Sequence, residues 1–221
     1  MRSETLMDIY RRLYTRFGPQ HWWPGETPLE VMIGAVLTQN TNWKNVERAI
    51  ANLKAASLLD IRKLEQLSPD RLAELIRPAG YFNIKARRLK NLIAWLSKRC
   101  SGQIESLKEL PTGRLREELL SIRGIGPETA DSILLYALEK PVFVVDAYTA
   151  RILGRHHLLE EGAGYEEIQS LFESALPKDT VLFNEYHALL VRCGKEFCKP
   201  KAACRGCPLE DLPHETRQDF L

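Results

Sequence analysis

Three observations predict an all-α protein. Apolar residues recur at helical spacing along almost the whole chain, the two-residue alternation of strands is almost absent, and helix-start signals precede several of the apolar runs. At 221 residues the chain can bury a proper core, in one large domain or two smaller lobes.

In chain order, Leu6, Ile9, Tyr10, Leu13, Tyr14 and Phe17 lay one apolar stripe along a first helix. The loop His21-Trp22-Trp23-Pro24-Gly25 follows, and its paired indoles read either as core or as the wall of a pocket that stacks a flat ligand. Thr27-Pro28-Leu29-Glu30 has the form of a capping box with Pro at the first helical position, starting a helix that carries Val31 to Leu37 inward. The polar run Thr38-Gln39-Asn40-Thr41-Asn42 ends it, and Asn42 caps a helix from Trp43 to Lys54. Ser68-Pro69 starts another helix, which stops near Arg77-Pro78-Ala79-Gly80. From Tyr81 to Lys90, aromatics mix with the cations Lys85, Arg87, Arg88 and Lys90. This is either a solvated helix face or a phosphate-tracking surface.

Thr112 starts the helix that leads into Leu120–Leu153, the stretch around which the chain is organised. Gly124 and Gly126 predict a tight turn that a side chain at either position hinders. Pro127 and Glu128 suit the first turn of the helix that follows. The result is a helix-hairpin-helix whose outward N–H groups suit a phosphate and read no base sequence. Pro141 to Val145 is too short for a long helix and too apolar for an exposed loop, so it holds Asp146 at the edge of packed core. There Asp146 reads either as the cap of a helix from Ala147 or as a catalytic carboxylate. Helices near 147–156, 165–175 and 179–192 follow, and the tail from Asp211 to Leu221 is expected to be poorly ordered beyond Pro213.

The 31 basic and 29 acidic side chains leave a formal charge of +2, so any duplex-binding face is local. There is no apolar stretch long enough to span a bilayer, and the N-terminus reads as an amphipathic helix rather than a signal peptide. The expectation is a cytoplasmic protein with no membrane partner. In that compartment Cys193, Cys198, Cys204 and Cys207, spaced C-x4-C-x5-C-x2-C, read as metal ligands. Spacing alone leaves a structural Zn and a [4Fe–4S] cluster both open. Cys100 reads as a buried, inert thiol.

GIGPETADSIL followed by VVDAYTARIL resembles the helix-hairpin-helix and Gly/Pro-rich loop with catalytic Asp of the endonuclease III superfamily of DNA glycosylases. WWP, LTQNTNW, RPAGYFNIKARRL and GIGPETADSILLYA are similar, over nearly the whole chain up to Asp146, to its 3-methyladenine glycosylase branch. The resemblance implies a two-lobe helical fold: a six-helix lobe over 23–140, and a second lobe from 1–22 and 141–221, with the substrate groove between them. It implies Asp146 as the catalytic residue and Trp22, Trp23, Trp43 and Glu128 as the base pocket. Asn40, or next Gln39, enters the duplex where the target base has left. Gly124 and Gly126 hold the backbone of the DNA, and beside them the charge run offers Lys85, Arg87 and Arg88 as candidate phosphate contacts.

Superfamily members that cut the strand carry a Lys where this chain has Glu128, and its amine forms a Schiff base with the sugar. The carboxylate here implies a monofunctional glycosylase that uses water, acting as a nucleoid-associated monomer on double-stranded DNA containing a damaged base such as 3-methyladenine. The resemblance also implies a [4Fe–4S] cluster, with Zn as the alternative, after a Gly-Lys pair like Gly194-Lys195. Against the usual C-x6-C-x2-C-x5-C, Cys198, Cys204 and Cys207 match three ligands, Pro213 occupies the place of the fourth, and Cys193 is the replacement. Two other readings stand beside this one. An endonuclease III-like oxidised-pyrimidine glycosylase and AP lyase is opposed by Glu128 and the Trp-rich loop, and a non-catalytic DNA-structure-binding module is opposed by Asp146.

Overall fold

A computed structural model describes residues 2–23, 25–160 and 162–216; Pro24 and the last five residues of the expected loose tail lie outside the described residues. The described residues are helical with no strand. None of their helices is long and apolar enough to cross a membrane. The chain divides into two compact units, Trp23–Lys140 and Met1–Trp22 with Pro141–Leu221.

The unit Trp23–Lys140 is built on α2 (Pro28–Leu37), whose residues from Leu29 to Leu37 are all buried. Thr27 caps it by accepting from the Glu30 N–H at 3.2 Å. Only half of the expected capping box forms, because the buried Glu30 carboxylate accepts from the Glu26 N–H and pairs with Lys54 at 3.0 Å. Around α2 stand α3 (Trp43–Ala55, capped by Asn42), α4 (Ile61–Gln66), α5 (Pro69–Leu75, capped by Ser68), α6 (Phe82–Cys100), α7 (Thr112–Leu120) and α8 (Pro127–Ser132). That makes seven described α-helices, beside 3-10 turns at Arg77–Ala79 and Ile104–Glu109, where six helices were expected. The addition is α4, two turns long and capped by Asp60, and α6 packs against both it and α5. Widened π-type turns carry α8 on through Ile133–Ala137.

The other unit holds α1 (Arg2–Phe17), α9 (Ala147–Arg155), α10 (Tyr165–Ala175) and α11 (Thr180–Glu196). Phe143 and Phe172 stack at 3.7 Å in its core, with Phe183 and Tyr186 edge-on to Phe143. The buried segment Val142–Val145 has no ladder for its peptide groups, and α10 supplies partners instead. Glu173 accepts from the Phe143 N–H at 2.9 Å, Gln169 donates to the Phe143 carbonyl at 2.8 Å, and the Tyr165 hydroxyl accepts from the Val145 N–H. Contrary to expectation, the chain just past Pro213 is tied down. Arg155 O accepts from the Glu215 N–H at 2.8 Å, and His156 Nδ1 lies 3.0 Å from the Pro213 carbonyl.

Candidate active site and nucleic-acid interface

In Trp23–Lys140 the hairpin between α7 and α8 is locked by its neighbours. Arg116 grips the fully buried Asp131 with two bonds of 2.8 and 3.0 Å, tying one helix to the other. Gly124 has φ +97°, and a Cβ there would collide with Cγ of Arg88. Gly126 differs from expectation: at φ −96° its backbone suits any residue, and a Cβ would meet nothing within 4 Å. Gln39 donates to the Gly124 carbonyl at 3.2 Å and to Thr129 Oγ1 at 2.9 Å, while Arg88 donates to Gln39 Oε1. Gln39 therefore braces the hairpin. Asn40 is exposed at φ +52°, and Asn42, also exposed, is committed to capping α3.

The cation run separates by role. Lys85 is 1% exposed and donates to the Leu37 and Ala79 carbonyls at 2.8 Å each, so it has no path to a phosphate. Burial, with the nearby Arg88 charge, lowers its pKa to about 8. Lys90 closes the end of α4, donating to the carbonyls of Leu64, Glu65 and Leu67. Arg87 and Arg123 stay exposed, and with Arg88 and Gly124 they line an open groove.

The predicted base-pocket residues are brought together in part. Trp23 meets Trp43 edge-on at 5.0 Å and stacks on Tyr136 at 4.9 Å, with all three rings half-buried. Gly34 of α2 makes room: a Cβ there would lie 3.3 Å from Trp23 Nε1 and 3.4 Å from Trp43 Cη2. Sequence reading missed Tyr136, whose ring is presented from the widened turns after α8, an irregularity that helical periodicity does not signal. Glu128 is exposed in the first turn of α8. Trp22 belongs to the other unit, where Lys195 Nζ stands 5.7 Å from its ring centroid.

In that other unit Asp146 does cap α9, its Oδ1 accepting from the Thr149 N–H at 2.8 Å and the Thr149 hydroxyl at 3.0 Å. Its Oδ2 lies 3.6 Å from His187 Nε2, a neighbour on α11 that sequence reading did not identify. Burial pushes the Asp146 carboxyl upward, but the His187 contact and the Thr149 bonds outweigh it and hold the group below the ordinary aspartate value.

Cys193 is buried inside the last turn of α11, not in the loop, and its sulfur is 4.0 Å from that of Cys207. All four thiols, Cys193, Cys198, Cys204 and Cys207, line one cavity together with His156 and His214. The buried Arg155 holds the loop's start, donating to Cys198 Sγ at 3.3 Å and to the carbonyls of Lys199 and Pro200 at 2.7 Å each. Gly194 lets Tyr148 pack directly on the α11 backbone, where any Cβ would collide with the ring. Among the described residues no three His, Cys, Asp or Glu side chains converge as the ligands of a single ion. Cys100 is buried at the end of α6, donating to the Leu96 carbonyl, and burial raises its pKa.

The model of HhH-GPD superfamily base excision DNA repair proteins matches residues 33–178, a span that includes the hairpin and Asp146. The chain belongs to that superfamily. It is 51% identical over 210 residues to a protein of Methanocaldococcus jannaschii provisionally named a DNA repair glycosylase, covering 95% of this chain and 96% of the relative. With the endonuclease III of Thermotoga maritima it shares 29% identity, over 93% and 91% of the two chains. Among solved structures, an H. pylori 3-methyladenine DNA glycosylase bound to 1,N6-ethenoadenine aligns with TM-score 0.74 and 31% identity, covering 88% of this chain and 97% of that one. An endonuclease III–DNA complex aligns with TM-score 0.82 at 22% identity, covering 97% and 96%, a likeness of fold.

Proposed function

We propose that this DNA N-glycosylase removes an alkylated purine from duplex DNA by direct hydrolysis, with Asp146 as its catalytic carboxylate. The observation that carries the reading is the aromatic trio of Trp23, Trp43 and Tyr136. A purine carrying an extra alkyl group is electron-poor and often cationic, and it stacks well on such faces once flipped from the helix. The likeness to an H. pylori 3-methyladenine glycosylase at 31% identity supports the same substrate class. Asp146 stabilises the positive charge that builds on the sugar as the base departs, and it orients the attacking water. Glu128 stands where strand-cutting relatives would need an amine, so no Schiff base forms through that position. Asn40 fills the space left by the base, while Arg87, Arg88 and Arg123 meet phosphates.

Likeness to the endonuclease III relatives favours a [4Fe–4S] cluster over one zinc at the four cysteines. A tetrahedral zinc needs its sulfurs to converge on a point at about 2.3 Å each. A four-iron cluster is a larger body: the thiols line one cavity with Arg155 donating to one of them, and the 4.0 Å between the Cys193 and Cys207 sulfurs would have to widen to take it. In this reading Cys193, Cys198, Cys204 and Cys207 hold the cluster. Bound there, it would cross-link α11 to the loop and supply a one-electron redox centre.

The test is product analysis on a duplex treated with a methylating agent, with and without later alkali, for wild type and Asp146→Asn. The expected result is free 3-methyladenine, strands that break only after alkali, and no release by Asp146→Asn. Strand cleavage without alkali, or release confined to oxidised pyrimidines, would overturn the proposal.

A further inference from the structure

The two oxygens of Asp146 have different surroundings. Oδ1 takes both bonds from Thr149 and is committed to holding the first turn of α9. A helix cap needs no more than that, and in a purely structural cap the second oxygen is satisfied most cheaply by water. Here Oδ2 faces Nε2 of His187 instead, with the Asp146 side chain 13% exposed and that of His187 6%. The terminal torsion of an aspartate is soft, so Oδ1 bonds alone leave the carboxylate plane poorly fixed. A second contact on the other oxygen, 3.6 Å away and a few tenths of an ångström from hydrogen-bond distance, restrains it.

His187 is itself held in place. Its neighbour Tyr186 is fully buried among Phe143, Phe172 and Tyr10, and the Tyr186 hydroxyl donates to the Leu6 carbonyl at 2.7 Å. Asp146 follows the segment that α10 grips through Glu173 and Gln169. Imidazole and carboxylate therefore come from separately anchored elements, α11 and the start of α9, which pack on each other. Such an arrangement preserves geometry at a reacting centre.

We propose that His187 is a positioning residue of base excision: a proton on Nε2, turned toward Asp146 Oδ2, fixes the carboxylate plane and favours its anionic form. The contact needs only that proton, so a neutral ring serves, with Nδ1 then left as an acceptor. The inference rests on the reading of Asp146 as the catalytic carboxylate.

The experiment compares single-turnover excision, duplex affinity and thermal melting for wild type, His187→Leu, His187→Gln and Asp146→Asn, on one methylated duplex. His187→Leu should slow excision roughly 10- to 100-fold, the scale of a misplaced catalytic group, with affinity within about twofold of wild type. His187→Gln, which offers an N–H from a similar distance, should recover most of the rate. Wild-type rates in His187→Leu beside an inactive Asp146→Asn would overturn this inference and leave the catalytic reading standing. Failure of Gln to rescue, or a loss of rate that only follows a loss of folding or affinity, would also overturn it. An active Asp146→Asn would remove the reading on which it rests.

Discussion

Gly124 and Gly126 sit two residues apart in one turn, yet only the first is required by the protein itself. At φ +97°, with Arg88 Cγ in the place a Cβ would take, Gly124→Ala adds backbone strain to a collision. It should cost more than about 1 kcal/mol in chemical denaturation and loosen the Arg88–Gln39 brace. Gly126→Ala meets neither obstacle, and its stability should stay within roughly 0.5 kcal/mol of wild type. If the turn lies against a phosphate, the same substitution should still weaken duplex binding, which a titration of both variants resolves. Equal stability losses in the two would show that the Arg88 contact is not what selects glycine. At this scale the sequence announced residue types better than their duties. Gly124 and the Asp146 cap were legible in the sequence, whereas the freedom of Gly126 and the duties of the α6 cations were not, because identical residues serve opposite ends there. Lys85 is spent on the carbonyls of Leu37 and Ala79, Lys90 on the end of α4, and Arg87 remains exposed. Nothing in a one-dimensional charge run reports which carbonyls will need a donor.

Helices were legible where a cap chemistry marks them, as Thr27, Asn42, Ser68 and Asp146 do by accepting from the N–H three residues on. They were less legible where two turns leave too few apolar positions to fix a period, as in α4 despite its Asp60 cap, or where the ladder widens, as at Ile133–Ala137. The last helix carries a consequence for the cysteine loop. Because α11 runs on to Glu196, Cys193 is presented from a rigid helix, and the other three thiols come to it from the loop. The unusual spacing thereby keeps four thiols in reach despite Pro213 in the usual fourth place. If they hold a cluster, protein prepared without oxygen should carry about four iron atoms and matching sulfide per chain. Cys193→Ser should lower that load and make the loop beyond Phe197 sensitive to protease, whereas Cys100→Ser, at the buried end of α6, should change neither. A full iron load in Cys193→Ser would remove it from the ligand set, and stoichiometric zinc in place of iron would refute the cluster.

For the molecule as a whole, a formal charge of +2 supplies almost no general attraction to a polyanion, so affinity for DNA has to come from a few placed cations. Each cation that displaces a counterion from a phosphate adds about one to the slope of log affinity against log salt. Arg87 and Arg123 are exposed on the groove beside Gly124, and Lys85 is sealed in the core of the same unit. Arg87→Ala and Arg123→Ala should therefore each weaken duplex binding and flatten the salt dependence by about one. Lys85→Met should leave the slope as it is and change stability instead. The direction of that change follows from the lowered pKa. Between about pH 8 and the ordinary lysine range, the unfolded chain holds a proton on Lys85 that the folded chain has released, so wild-type stability gains as pH rises through this window. That gain should be missing from Lys85→Met in melts taken across the same range. Titrations at several salt concentrations, with the melts alongside, separate the two kinds of cation. A slope that falls in Lys85→Met as much as in Arg87→Ala would mean that the buried lysine reaches the DNA after all, and an unchanged slope in both arginine variants would mean that the groove is not where the duplex is held.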